Sequence, residues 1–287
     1  MAHGLPAVFE LPRLPVADLA SSPGLAATCS ALLRVLEDHV ERDLPHRRIA
    51  RLSGLLALTG VPIEPALGRR VRTHLLARRR ADGAWTDCED TAWCLFALAG
   101  LDRGHDPLRA AACGWLERER CGAGWGFCAR DDASIPMTSQ VRLLVPELAD
   151  EPSAQWLAGA CARELAGRHV LSYKLAWYLL AGSGPDTEGG PTARALDALL
   201  ADQRASGGFG PWREHPAPDD CFATGLALWA LSQRAHDERV GEALERGTVW
   251  CTRQQLADGL FPTHYIEEGS AWVALGWSAA LRAREAV

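Results

Sequence analysis

Lysine is nearly missing from this chain. Lys174 is the only one among 287 residues, so arginine carries the positive charge, and 30 Lys+Arg against 36 Asp+Glu leave a formal charge of -6. That balance excludes a general nucleic-acid binder, whose affinity rests on basic surface. The arginine bias reads as the codon usage of a GC-rich genome. No apolar run approaches the roughly 20 residues that span a bilayer. The opening MAHGLPAVFELPRLP has no basic region followed by an apolar stretch, so the expectation is no secretory signal and a cytoplasmic protein. There is no C-x-x-C, and the nine cysteines are odd in number, which argues against a disulfide framework and for small core residues. No G-x-x-x-x-G-K-[ST], G-x-S-x-G or H-E-x-x-H occurs. Strand-like alternation of β-branched residues is absent too. Tyr and Phe are scarce, at three and six, against 11 Trp. Many of the tryptophans stand beside glycines, which points to a repeat.

One unit reads as a Gly/aromatic loop, a few polar residues, then an apolar helix. ADGAW (81–85) precedes DCEDTAWCLFALAGL (87–101), and GAGWGF (122–127) precedes SIPMTSQVRLLVPEL (134–148). SGGFGPW (206–212) precedes DDCFATGLALWALSQ (219–233), and DGLF (258–261) precedes EEGSAWVALGWSAALR (267–282). A unit without its glycine loop, HVLSYKLAWYLLAG (169–182), fills the double gap between the second and third loops, and HRRIARLSGLLALTG (46–60) is a sixth apolar helix. Between them lie amphipathic segments at about 24–42, 63–80, 107–120, 153–167, 191–204 and 239–257. In the first, Leu32, Leu33, Leu36 and Val40 form a stripe opposite Arg34, Glu37, Asp38 and Glu41.

A helix apolar around most of its circumference must be buried on most sides, whereas an amphipathic one can face water. Six of each, alternating, predict an all-α protein: an (α/α)6 barrel, or toroid, with an inner ring sheathed by an outer ring. An open solenoid is the rival architecture. Residues 1–22 read as an N-terminal extension and 23–287 as one barrel domain. The barrel should have a mouth where the inner helices begin. Polar groups gather there: Asp43 and His46; Asp87, Glu89 and Asp90; Thr138, Ser139 and Gln140; Ser172, Tyr173 and Lys174; Asp219, Asp220 and Cys221; Glu267 and Glu268. Taken singly, Asp, Ser and Thr at these positions are N-caps, and first-turn acids oppose the helix dipole. Capping does not account for three carboxylates within four residues at 87–90.

DGAW followed by DCEDTAWCLFAL resembles the Asp-rich segment, D-x-D-D-T-A, of class II terpene cyclases of the squalene–hopene and copalyl diphosphate type. Asp87, Glu89, Asp90, Thr91 and Ala92 match it, with glutamate at the third position as the one departure. The Q-x-x-x-G-x-F/W loops of the wider prenyltransferase and squalene cyclase repeat superfamily are matched by Gln203, Gly208 and Phe209 and by Gln255, Gly259 and Phe261. The repeat pattern covers roughly residues 45–283.

The resemblance implies a cyclase that starts by protonating an alkene, with no metal or cofactor. By family position Glu89 would donate the proton, and Asp87 and Asp90 would orient and polarise it. Crowding and burial should raise one of these carboxyls. The extra methylene of Glu moves the acid by about a bond length, which could retune the substrate or abolish the activity. Carbocations need aromatic faces, and Trp85, Trp93, Trp125, Tyr173, Trp177, Phe209, Trp229 and Trp272 are the candidates, each with core packing or loop anchoring as the alternative. The expected substrate is a short isoprenoid or other polyunsaturated hydrophobic molecule. Twelve helices use up the chain, so the cavity is either self-contained or closed by a partner subunit or homodimer mate.

Two other readings stay open. Asp219-x-Cys221 resembles the D-x-C zinc pair of protein prenyltransferase β subunits, with His264 as the third ligand, which implies a zinc-dependent prenyl or alkyl transferase. A non-catalytic barrel that binds a hydrophobic ligand or partner is the third. The Arg78–Arg80 run is either a diphosphate site or a helix C-terminus that favours cations.

Overall fold

In the computed structural model, residues 22–101, 107–182 and 189–285 are described. Residues 1–21 of the expected N-terminal extension lie outside them. Among the described residues there are twelve α-helices and no β-strand beyond a single bridge between Cys121 and Gly124. The helices are α1 (Pro23–Glu41), α2 (His46–Thr59), α3 (Pro65–Ala77), α4 (Cys88–Leu101), α5 (Pro107–Arg118), α6 (Ile135–Leu144), α7 (Glu151–Leu165), α8 (Ser172–Ala181), α9 (Pro191–Asp202), α10 (Cys221–Ser232), α11 (Glu238–Gln254) and α12 (Ile266–Glu285).

The even-numbered helices form a closed ring. Each packs on the next, from α2 through α4, α6, α8 and α10 to α12, and α12 packs back on α2. That last contact distinguishes a barrel from an open solenoid. The odd-numbered helices line the outside. Burial follows the sequence pattern: every residue of α10 from Ala223 to Leu231 is buried, whereas α11 buries only one face, through Val240, Ala243, Leu244, Gly247 and Cys251 among others. All nine cysteines are free. Expected and observed helix limits agree within a few residues except in the third unit. There α6 stops at Leu144 instead of running to 148, because Pro146 cannot supply the N–H that would continue it, and a 3-10 turn (Pro146–Leu148) follows.

The glycine loops fix how each outer helix hands over to the next inner one. In four units the backbone N–H of the loop aromatic donates to a hydroxyl on the following inner helix: Trp85 to Thr91, Trp125 to Thr138, Phe209 to Thr224 and Phe261 to Ser270, at 2.9–3.1 Å. Gln203 and Gln255 donate their side-chain amides to the carbonyls of Gly207 and Gly259 in their own loops, and to Ala243 or Gly24 on the next outer helix. Gly207 shows why these turns need glycine. Its φ is +94°, in the left-handed region, and an added Cβ would overlap the Arg246 carbonyl.

Candidate active site

Because outer and inner helices alternate along the chain, all six inner helices begin at the same end of the barrel. At that end the carboxylates of α4 meet arginines of α2, its neighbour in the ring. Asp87 is the N-cap of α4: its Oδ1 accepts the Asp90 N–H at 2.8 Å, and its backbone carbonyl accepts from Thr91. Its Oδ2 receives Arg47 Nη2 at 2.5 Å, while Arg47 Nε donates to Asp90 Oδ1 at 2.6 Å, so one guanidinium spans both aspartates. His46 Nε2 lies 3.1 Å from the other Asp90 oxygen and 3.2 Å from Thr86 Oγ1. Asp90 is buried, with only 2% of its side chain exposed. Glu89 lies beside this network and takes Arg51 instead, Nη2 to Oε2 at 2.7 Å. The other end of that guanidinium, Nη1, donates to Glu268 of α12 at 2.5 Å. Arg48 reaches Glu267 at 3.5 Å.

These contacts push the three carboxyls of 87–90 apart in acidity. Burial raises Glu89 above the ordinary range; Arg51 pulls against it, and the charges of Asp87 and Glu268 push it further up. Burial likewise raises Asp87, with the Asp90 amide opposing. Burial also works against a charge on Asp90, but the hydrogen bonds from His46 and Arg47 overcome it and hold that carboxyl below its ordinary range. Asp90 is thus a fixed anion, and the half-buried Glu89 and Asp87 are both shifted toward their protonated forms.

The candidate aromatics divide into two groups. Trp85 and Trp125 are buried in the wall, their indole N–H groups bound to the Leu75 and Leu116 carbonyls of the preceding outer helices. Phe209 is buried in its loop, tied through its own N–H to Thr224. The expectation that these three face a cavity gives way to the loop-anchoring alternative. Trp93, Trp177, Trp229 and Trp272 instead form a cluster with Phe222, and half-buried Tyr173 packs on Phe222 with 6.1 Å between ring centroids. Trp93 follows Glu89 by four residues, and Trp272 follows Glu268 by four, so each tryptophan lies one turn below its carboxylate on the same helical face.

The expected zinc ligands do not converge. Asp219 Oδ2 accepts from Ser206 and Trp250, at 2.6 and 2.7 Å, and Arg204 reaches its other oxygen at 3.4 Å. Burial pushes the Cys221 thiol up to about 12, and its Sγ lies 3.7 Å from the Pro262 carbonyl. His264 packs on Tyr265. Among the described residues no group of three His, Cys, Asp or Glu is placed to hold a metal ion. Most of the remaining mouth groups are used locally, the buried Ser139 hydroxyl being without a partner among the described residues. Asp220 caps α10, Gln140 accepts the Trp93 N–H, Ser172 bonds Asp202, and Lys174 pairs with Glu164. Arg78 pairs with Asp43 and donates to the His74 carbonyl, Arg79 binds the Gly83 carbonyl, and Arg80 binds Trp85 O and Asp82, so the Arg78–Arg80 run secures a helix C-terminus.

Sequence reasoning missed Arg47 and Arg51. Their signal is the spacing in HRRIAR: four residues apart, they occupy one face of an apolar helix at a barrel mouth, where unpaired cations would be costly.

No family sequence profile matches the chain, and no curated protein matches it in sequence. Solved structures do resemble it. A variant of the type II terpene cyclase MstE from Scytonema, in complex with its substrate geranylgeranyl dihydroxybenzoate, superposes with a TM-score of 0.75 at 15% identity, covering 94% of this chain and 100% of that one. The ent-copalyl diphosphate synthase from Streptomyces platensis gives 0.58 at 17% identity, over 82% of this chain and 50% of that one. A possible member of the GH105 family from Klebsiella pneumoniae gives 0.56 at 13% identity, over 99% and 96%. The fold is that of class II terpene cyclases, all-α and built as a helical barrel. The same barrel also carries other names, so the chemistry has to be argued from the site.

Proposed function

We propose that this protein is an enzyme of the class II terpene cyclase type, which protonates a terminal alkene of an isoprenoid, or a similar polyunsaturated chain, and closes it into a ring without a metal. The observation that carries this reading is the placement of Glu89: a half-buried carboxyl raised above its ordinary range, as Asp87 also is, and standing one helical turn above the Trp93–Trp272 pair. Its O–H bond breaks as a C–H bond forms at the less substituted alkene carbon, which leaves a tertiary cation. An internal alkene attacks that cation, and loss of a proton from the ring system to a base restores neutrality, so the product is an isomer of the substrate. Asp90, held ionised by Arg47 and His46, keeps negative charge beside the cation, and Asp87 fixes the start of α4. The tryptophan faces stabilise positive charge on carbon through their quadrupoles. Arg51 is a positioning residue. While it is drawn toward Glu268, Glu89 can carry its proton; drawn wholly to Glu89, it would hold that group as a carboxylate. The full-length match to the single-barrel Scytonema chain supports a substrate site complete within one subunit.

The test incubates metal-stripped protein with geranyl, farnesyl and geranylgeranyl diphosphates and with the corresponding prenyl dihydroxybenzoates, read by mass spectrometry and NMR. The expected result is an isomeric cyclised product from at least one of them, lost in Glu89→Gln. Full turnover by Glu89→Gln would overturn the assignment. Dependence on added zinc, lost in Cys221→Ala, would move the chemistry to Asp219 and Cys221. Tight binding without conversion would leave the barrel as a ligand-binding protein.

A further inference from the structure

Trp272 lies across the barrel. It stands edge-on to Trp93 of α4 (5.9 Å between centroids), Trp177 of α8 (5.5 Å) and Phe222 of α10 (5.3 Å), and it is tilted to Trp229 of α10 (6.3 Å). The ring neighbours of α12 are α10 and α2. Contacts from α12 to α4 and α8 therefore span the lumen rather than follow its wall, and the interior one turn beneath Glu89 is closed by indole.

Backbone and ring are held differently at this position. Gly225 of α10 and Gly276 of α12 let the two helices touch backbone to backbone: an added Cβ at Gly225 would overlap the Trp272 carbonyl, and one at Gly276 would overlap the Gly225 carbonyl. The Trp272 main chain is thus locked. Its indole, only 2% exposed, has no acceptor for Nε1–H, whereas Trp85, Trp93, Trp125 and Trp250 each have one. A buried donor left unmet is costly and calls for an explanation. Here it leaves a ring in the path of a ligand held by packing alone, with no polar bond to break when it turns.

We infer that Trp272 is the specificity-determining residue that limits how long a chain the barrel accepts. One turn of helix, about 5.4 Å, separates the level of Glu89 from that of Trp272. A chain that reaches deeper must displace the indole, so a geranyl chain folded beneath the acid should be accepted more readily than a geranylgeranyl chain of the kind carried by the substrate of the Scytonema cyclase. The inference rests on the proposal that Glu89 starts the reaction.

The test measures binding of geranyl, farnesyl and geranylgeranyl dihydroxybenzoates by calorimetry in the Glu89→Gln background, and turnover in the Glu89 background, each with Trp272, Trp272→Phe and Trp272→Ala. With Trp272 present, the geranyl compound should bind at least tenfold more tightly than the geranylgeranyl one. Trp272→Ala should improve binding of the longest chain relative to the shortest at least tenfold; Trp272→Phe, which removes less volume and keeps a ring, should fall between. The same length preference in all three proteins overturns the inference, even if cyclisation is observed. A preference that shifts as expected without cyclisation upholds Trp272 as the limit and overturns the acid role of Glu89. Failure of every chain length to bind any of the three proteins ends both.

Discussion

Replacing Glu268 with glutamine should move the alkaline limb of the pH–rate profile toward acid by about one unit. Arg51 lies between two carboxylates, Glu89 at 2.7 Å and Glu268 at 2.5 Å, each on its own terminal nitrogen. Two carboxylates across one guanidinium are roughly 6 Å apart, which at an effective dielectric of about 20 gives a mutual repulsion of about 3 kcal/mol. The Glu268 side chain is 32% exposed, and solvent at the mouth halves that figure, to about 1.4 kcal/mol or one pKa unit. The sign is set by the role. An acid must be protonated to act, and its protonated fraction falls tenfold for each unit of pH above its pKa. Burial, Asp87 and Glu268 all raise Glu89, so removing the charge of Glu268 lowers it, and the undivided Arg51 guanidinium lowers it further. At a pH above the Glu89 pKa, kcat/KM should fall about tenfold; well below it, the rate should be unchanged. The assay is kcat/KM against pH on whichever prenyl substrate is turned over, with Glu268→Asp restoring the limb. A uniform loss at every pH would mean that Glu268 only supports the fold. A limb that stays still or moves alkaline would refute the shared counter-ion.

Other consequences can be checked without a substrate. Asp90→Asn should destabilise the protein by about 2 kcal/mol in urea: the buried carboxylate loses its charged hydrogen bonds to Arg47 and His46, while Arg47, 45% exposed, keeps Asp87. The folded-state carboxyl of Asp90 lies below its unfolded value, so its contribution is present above about pH 4 and lost as pH falls through the folded value; the gap between wild type and Asp90→Asn should close below about pH 4. Gly225→Ala should cost about 3 kcal/mol or more, since its Cβ would meet α12 backbone, whereas Gly241→Ala, in the first turn of α11 with open space around it, should be neutral or stabilise by up to about 1 kcal/mol.

The barrel was legible because its two helix types differ in composition: α4 and α10 are apolar around their circumference, and α11 and α1 are not. Ring closure was legible only as a count of six pairs. The contact that completes it, α12 on α2, joins segments more than 200 residues apart and leaves no local mark. The stitching of loop aromatics to Thr91, Thr138, Thr224 and Ser270 was hidden by unequal spacing, since donor and acceptor are 6, 13, 15 and 9 residues apart. At the site, the carboxylates of 87–90 were visible as a density of like charge, but their separation into a fixed anion and a raised acid was not. That separation depends on how many partners the neighbouring helix gives each one, a matter of register between α2 and α4: Asp90 takes both His46 and Arg47 and is lowered, whereas Asp87, which shares Arg47, and Glu89, which meets Arg51, stay raised. Tryptophan's role was the least legible, because Trp85 and Trp93 look alike in sequence and differ in whether the indole N–H reaches an outer-helix carbonyl or a side chain on the next inner helix.

The glycines tie these levels together. Gly54 leaves room for Trp93 against α2, and Gly225 and Gly276 bring α10 and α12 into backbone contact behind Trp272. A bulkier residue at any of the three would move a tryptophan or separate two inner helices. On α4 the same four-residue step links Trp93 to Glu89, and on α12 it links Trp272 to Glu268. Displacing either helix would therefore move an indole and a carboxylate together, and with them both the depth of the lumen and the division of Arg51 between Glu89 and Glu268. With Glu89 as the proposed acid and Trp272 as the proposed limit, chain length and acid strength would be set by the same two helices. Gly276→Ala, which pushes α12 away from α10, should consequently change substrate length preference and the pH limb at once, whereas Trp272→Ala should change the first and leave the second in place.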